Sequence, residues 1–370
     1  MQKSVYNLPD DAFCGTIDRS TEQVLAMELS ERFSGWLAAL EAEMRACFPA
    51  PPPALLPFYG MMAYHLGWQD ASFRPREGPA GKRLRPLLCL LAVEAVGGQW
   101  ERALPAAAAV ELVHNFSLIH DDIEDRSPLR RGRPTLWRLW GLPQALNAGD
   151  GLFTLARAAL LRLREYGFPA ETVLEAAALL DRAVLRLCEG QYLDLSFEGR
   201  LDVDEAAYLG MIAAKTAALL EAALELGALL GGGDAEARAA LRSYGHALGL
   251  AFQVQDDILG VWGREERTGK PQAADVVERK LGLPAVYALG RAGPAGRDIL
   301  EHVYGGRGAV TPEEVDAVLA VLEELGARGY AEGVAARYCE EALAALGRLP
   351  AGPARESLEE VARSLLGREA

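Results

Sequence analysis

The chain has 370 residues, with 38 Lys and Arg against 52 Asp and Glu and a formal net charge of −14. That balance argues against nucleic acid or an anionic membrane surface as a general partner, so local groups of basic residues read as parts of a site. The five cysteines (Cys14, Cys47, Cys89, Cys188, Cys339) are odd in number and far apart. They support neither a disulfide framework nor a zinc site and fit a reducing, cytoplasmic setting.

Apolar residues recur at three- and four-residue spacing, as in Leu84/Leu87/Leu88/Leu91 and Leu219/Ala222/Ala223/Leu226, and windows of alternating Val, Ile and Thr are few. The pattern predicts an all-α, single-domain helical bundle over 21–370. In chain order, residues 1–20 show no period and read as a mobile N-terminal arm. A helix over about 21–46 ends before Pro49-Ala-Pro51-Pro52-Pro53. A second begins near Gly81 and stops at Gly97-Gly98. Pro128 to Pro134 is a turn, Gly231-Gly232-Gly233 separates two helices, and Gly263 to Pro271 is a loop. Residues 296–370 read as helices that complete the bundle. The start carries no secretory pattern, Leu87 to Val93 is too short to span a bilayer, and Glu221 and Glu225 break the apolar stretch 217–230. No stable membrane insertion is expected.

Two acidic clusters carry the chemistry. Asp121-Asp122-Ile-Glu-Asp125 is followed at once by Arg130-Arg131, and Asp256-Asp257 lies in a second helical stretch. The two share a pattern, Ile119-His-Asp121-Asp122-Ile123 against Val254-Gln-Asp256-Asp257-Ile258. Residues four apart share a helix face, so Asp121 and Asp125 can point at one metal with Asp122 beside them. Carboxylates without Cys or His partners favour a hard cation, and magnesium binds substrate phosphates while keeping waters. The paired arginines offer the forked donors that suit a diphosphate. Lys82, Arg83 and Arg85 at a helix start oppose its dipole unless an anion binds there. A lone acidic run is more often a solvated helix face; two such runs with basic partners are not. His120, Trp137, Trp140 and Trp262 read as packing, while Gln191 and Asp194 divide evenly between an interhelical bond and ligand contact.

Together these segments resemble the trans-isoprenyl diphosphate synthases of the polyprenyl synthetase family, most of all the geranylgeranyl diphosphate synthases. The resemblance spans roughly 55–345 and rests on motifs in the same order. These are Gly81-Lys82-Arg83-Leu84-Arg85-Pro86, His114, Asp121/Asp122/Asp125, Arg130-Arg131, Gly190-Gln191-Tyr-Leu-Asp194, Lys215-Thr216, Gln253/Asp256/Asp257, Gly269-Lys270, Asp275 and Lys280. It implies a helical bundle with a central active-site cavity and a homodimer. It also implies magnesium, three ions with substrate bound, held by Asp121, Asp125 and Asp256. The allylic substrate would be dimethylallyl, geranyl or farnesyl diphosphate, clamped by Arg130, Lys215, Lys270 and Lys280, with Thr216 and Gln253 beside them. Lys82, Arg85, His114 and Arg131 would hold isopentenyl diphosphate, and the departing diphosphate would take the final proton.

The family's second motif usually ends in a third aspartate, where this chain has Gly260. Product length follows from depth: five residues of helix rise about 7.5 Å, so Phe116 and its small neighbour Ser117 form the floor below Asp121. In the resembling family one aromatic there accompanies a twenty-carbon product, two bulky residues a fifteen-carbon one, and small residues longer chains. Geranylgeranyl diphosphate is the expected product, with farnesyl or longer polyprenyl diphosphates as alternatives. A terpene cyclase would not need the second diphosphate site. A non-catalytic subunit of a hetero-oligomeric synthase would not need the complete first motif.

Overall fold

Alanine, leucine, glutamate and arginine are strong helix formers, and the chain they dominate folds into helices almost throughout. The computed structural model describes residues 33–76, 83–263 and 272–366. The expected arm over 1–20, the first part of the expected helix over 21–46, and Lys82 and Lys270 lie outside the described residues. In chain order come α1 (Ser34–Ala46), α2 (Leu56–His65), α3 (Leu84–Ala95) and α4 (Leu104–Glu124). A two-stranded hairpin follows, β1 (Leu129–Arg130) paired antiparallel with β2 (Arg133–Pro134). Then come α5 (Leu136–Trp140), α6 (Leu142–Leu161), α7 (Ala170–Phe197) and α8 (Glu205–Ile212). A π-helical segment (Ala213–Ala217) joins α8 to α9 (Ala218–Leu230), followed by α10 (Ala235–Trp262) and the short α11 (Ala274–Val277). The last elements are α12 (Leu283–Arg291), α13 (Pro294–Tyr304), α14 (Pro312–Glu324), α15 (Ala327–Leu346) and α16 (Pro353–Leu366).

Local sequence sets several boundaries. Asp204 and Asp234 accept the N–H of Ala207 and Ala237 at the starts of α8 and α10, and Thr311 with Glu314 forms a capping box at α14. The helix α4 is central. Ala106 to Val110, Leu112 and Val113 have no exposed surface, which is why its sequence is apolar around most of its circumference. It packs chiefly on α6, while α3, α9, α10, α15 and α16 share a second core and α8, α10, α12, α14 and α15 a third. Over the described residues 296–366 the helices complete the bundle, as the periodicity predicts.

The run Glu205–Leu230 is long and apolar enough to cross a membrane by length and composition, but 67% of its most apolar window is buried inside the fold. Glu221, which interrupts it, is paired with Arg186 at 2.6 Å and with His246 at 2.8 Å. Among the described residues Cys47, Cys89, Cys188 and Cys339 form no disulfide.

One expectation needs correction. Arg83 is not available to an anion: it is 4% exposed, and its guanidinium donates to Glu111 at 2.6 Å, to Glu41 at 2.9 Å and to the carbonyl of Leu66. It ties α1, the end of α2 and α4 to the start of α3. The charge that seemed to oppose the helix dipole is neutralised by two carboxylates from elsewhere in the fold.

Candidate active site

The first carboxylate wall is the C-terminal end of α4. The helix stops at Glu124 with Asp125 as its cap, so Asp121, Asp122 and Asp125 lie on its last turn. Asp121 is doubly paired: Oδ2 accepts from Arg130 at 2.8 Å, and Oδ1 lies 3.5 Å from the Lys215 ammonium. Asp122 is buried and accepts from Nε of Arg130 at 2.6 Å. Burial pushes the Asp122 carboxyl up to about 6 against the pull of Arg130; burial and then Asp121 push Asp125 up to about 6 as well.

Arg130 reaches back because the chain reverses immediately after it. Arg131 and Gly132 both have positive φ, 54° and 70°, the signature of a two-residue type I′ turn. The hairpin is held in turn by Arg133, whose guanidinium donates to the carbonyls of Tyr64 and Gln69 at 2.9 Å each and lies over the Tyr64 ring.

Lys215 and Thr216 come from the π-helical segment, whose extra residue per turn displaces them from the regular helix track, a common device at functional sites. The neighbouring helix α7 approaches so closely that a Cβ at Gly190 would lie 2.1 Å from the Lys215 backbone nitrogen. Lys215 forms a short ion pair with Asp194 of α7. Burial works against the Lys215 charge, but Asp194 and Asp121 outweigh it and raise the ammonium above its ordinary value. Asp194 therefore acts through Lys215, while Gln191 donates to Glu124 at 2.8 Å and joins α7 to the end of α4.

The second wall divides its two aspartates between roles. Asp256 is exposed, and it lies with Asp194 within electrostatic reach of Lys280. Asp257, one residue on, is 1% exposed and built into the frame. It accepts from Tyr208, from the Leu283 N–H at 2.9 Å and from Gln253 at 3.2 Å, and it lies 3.9 Å from Lys280. Thr216 donates to the carbonyl of Gln253 at 2.9 Å. Thr216 and Gln253 thus belong to one hydrogen-bonded chain ending on Asp257. Burial pushes Asp257 up to about 6, partly offset by Lys280 and Tyr208. Tyr208, held well above its usual range by burial and by Asp257, stays protonated and donates.

The basic group near the start of α3 forms a second focus. Nη1 of Arg85 lies 3.3 Å from Nε2 of His114, two turns before Asp121 on α4. Burial, then Arg85 and Arg131, holds the His114 imidazole well below its ordinary value, so it is neutral. Sequence reasoning missed His65 at the end of α2. Its Nε2 is sealed from solvent without a hydrogen-bond partner, and burial and Arg131, Arg130 and Arg83 keep it neutral too. Tyr208 and Phe153 were also missed: each sits at an apolar position of its helix, where nothing local marks it out.

Among the described residues no three His, Cys, Asp or Glu side chains converge into a ready-made metal cage. The donors are carboxylate oxygens on opposed walls, with Asp121 already balanced by two cations. That suits a hard ion completed by water and by the substrate's own phosphates, and Asp121, Asp125 and Asp256 fit magnesium in this way.

Phe116, the expected floor, lies among other rings. Phe116 is 8% exposed, its ring 5.2 Å from Phe153 of α6 and edge-on to His120 at 5.4 Å. Ser117 turns its hydroxyl onto the His114 carbonyl.

An all-helical bundle that gathers two aspartate clusters with Arg130, Lys215 and Lys280 is suited to binding a diphosphate through a hard cation. Residues 72–322 match the polyprenyl synthetase family. The chain is 41% identical over 314 residues to a (2E,6E)-farnesyl diphosphate synthase of Mycobacterium tuberculosis, covering 84% of this chain and 86% of that protein. It is 44% identical over 289 residues to a short chain isoprenyl diphosphate synthase of Methanothermobacter thermautotrophicus (78% and 87% covered). A geranylgeranyl diphosphate synthase of Mycobacterium tuberculosis is 40% identical over 291 residues (78% and 81%). The fold superposes on the crystal structure of geranylgeranyl pyrophosphate synthetase from Pyrococcus horikoshii with a TM-score of 0.83 and 32% identity, over 94% of this chain and 99% of that one. A polyprenyl synthase from Caulobacter crescentus, complexed with calcium and isoprenyl diphosphate, matches with a TM-score of 0.78 and 32% identity over 96% and 100%. The chain belongs to the polyprenyl synthetase family and is a trans-prenyltransferase.

Proposed function

We propose that the protein joins isopentenyl diphosphate head to tail to dimethylallyl, geranyl or farnesyl diphosphate, with magnesium at Asp121, Asp125 and Asp256, and that its product is geranylgeranyl diphosphate. The observation that carries the reading is the pairing of Asp121 with both Arg130 and Lys215. Carboxylates and cations alternate at the point where an allylic diphosphate must sit. Arg130 and Lys215 exchange these carboxylates for the diphosphate oxygens, and Lys280 approaches from the second wall. The C–O bond breaks with its electron pair leaving on the diphosphate, whose growing charge these donors stabilise. Magnesium bound there adds Lewis-acid stabilisation of the same charge. Arg85, His114 and Arg131 hold the second diphosphate, so that the double bond of isopentenyl diphosphate faces the cation; positioning supplies much of the rate. A cyclase has no use for that second group.

Product length rests on the floor. Phe116→Ala is expected to lengthen the products of the purified enzyme, sized by mass spectrometry after incubation with magnesium, isopentenyl diphosphate and each allylic starter. Unchanged lengths would reject the floor. A fifteen-carbon product is the second reading, and the observation favouring it is the Phe153 ring beside Phe116; Phe153→Ala then lengthens the product from fifteen to twenty carbons.

A homodimer is proposed on α6 and α7. Leu174, Leu185 and Tyr192 are 68%, 61% and 71% exposed along one stripe of α7, and Leu142, Leu146 and Leu161 are exposed on α6. Apolar patches of this kind mark interfaces. The free thiols Cys47, Cys89 and Cys188 support a cytoplasmic setting.

A further inference from the structure

Gly260 stands where the family pattern has the third aspartate of the second wall. The structure shows what fills the space: a Cβ built on Gly260 would lie 2.1 Å from Oδ2, 2.3 Å from Cγ and 2.7 Å from Oδ1 of Asp275. The Asp275 carboxylate, from the first turn of α11, lies flat against the α10 backbone at the position a side chain of residue 260 would occupy. Asp275 is 5% exposed, and its Oδ2 is 3.8 Å from the Lys280 ammonium, whose other carboxylate neighbour, Asp257, is at 3.9 Å. The turn that delivers it is held in a left-handed backbone at both ends, Ala273 at φ 56° and Arg279 at φ 57°, and the Lys280 N–H donates to the Asp275 carbonyl at 2.8 Å. Any Cβ on residue 260 meets the buried Asp275 carboxylate, which must give way for it.

We propose that Asp275 is a positioning residue that takes over the place of the absent third aspartate, aiming Lys280 at the substrate diphosphate, and that glycine at 260 is the condition for it. The proposal deepens the prenyltransferase reading and rests on it. Its consequence is counter-intuitive: restoring the aspartate by Gly260→Asp damages the site, because the new side chain expels Asp275 and brings a further negative charge against Asp257.

The test compares wild type, Gly260→Asp, Asp275→Ala, and the double variants Gly260→Asp/Asp275→Ala and Gly260→Ala/Asp275→Ala. The measurements are calorimetric binding of inorganic pyrophosphate in the presence of magnesium, KM and kcat for the allylic diphosphate, and the thermal midpoint. The two single variants should each bind pyrophosphate about tenfold or more weakly, with a raised KM. Gly260→Asp/Asp275→Ala should recover most of the affinity, since the carboxylate has only changed its attachment. Gly260→Ala/Asp275→Ala, relieved of crowding but lacking the carboxylate, should stay weak with a melting temperature no lower than that of Gly260→Asp. Wild-type affinity in Gly260→Asp or in Asp275→Ala, or equal affinity in the two double variants, would overturn the proposal while leaving the prenyltransferase reading intact. A wild type that neither binds pyrophosphate with magnesium nor turns over would overturn both.

Discussion

His65 and His114 place two imidazoles within the field of five arginines (Arg83, Arg85, Arg130, Arg131 and Arg133), and both are held neutral by burial and by that positive field. A histidine in the unfolded chain takes up a proton near pH 6.5, whereas these two do not when folded. The folded pKa is depressed, so the unfolded state binds more protons below 6.5 and stability falls as pH falls through that value. Each imidazole contributes up to about 1.4 kcal/mol per pH unit to the slope. Urea unfolding of the protein between pH 7.5 and 5.5 should therefore show a steeper loss for wild type than for His65→Gln. Equal slopes would mean that His65 is charged in the fold.

At the scale of elements, the π-helical segment and α7 depend on each other. The displaced track of Ala213–Ala217 presents Lys215 to Asp121 and Asp194, and α7 reaches it only because residue 190 has no side chain. Gly190→Ala should separate the two elements. Overpacking of this kind costs about 2 kcal/mol, read as a lower urea midpoint, with a fall in kcat as Lys215 moves off the first wall. A variant with wild-type stability and turnover would show that the contact relaxes without consequence. The hairpin between α4 and α5 is the other element the site depends on. Its two-residue turn sets Arg130 against Asp121 and Asp122, while Arg133 anchors it to α2 and the segment beyond.

For the whole molecule, the bundle leaves the apolar stripe of α7 uncovered, and a second copy is the proposed cover. Leu185→Asp should shift the protein toward monomer in sedimentation equilibrium, while an unchanged mass would remove this face from the interface. Within one chain two buried charged groups tie distant segments together. Arg83 joins α1, α2 and α4, and Asp257 gathers Tyr208 of α8, Gln253 of its own helix, and Lys280 and Leu283 at the approach to α12. Each tie is buried, so removing one partner leaves an uncompensated charge in the interior.

The sequence by itself determined the all-α architecture, the two acidic walls, the arginine pair and the register of His114 with Asp121. All of these are set by spacing along a helix of fixed pitch. Gly and Pro located the boundaries at Pro49–Pro53, Gly97-Gly98 and Gly231–Gly233 for the same reason, because backbone freedom is a local property. Only the tertiary structure decided that Arg83 is a strut and not a ligand donor, and that Asp257 belongs to the frame while Asp256 is exposed within electrostatic reach of Lys280. It alone placed Phe153 beside Phe116, His65 beside Arg131, and the Asp275 carboxylate in the space left by Gly260. The role of a charged side chain follows from the partners that burial brings to it, and those come from segments whose approach no local pattern encodes.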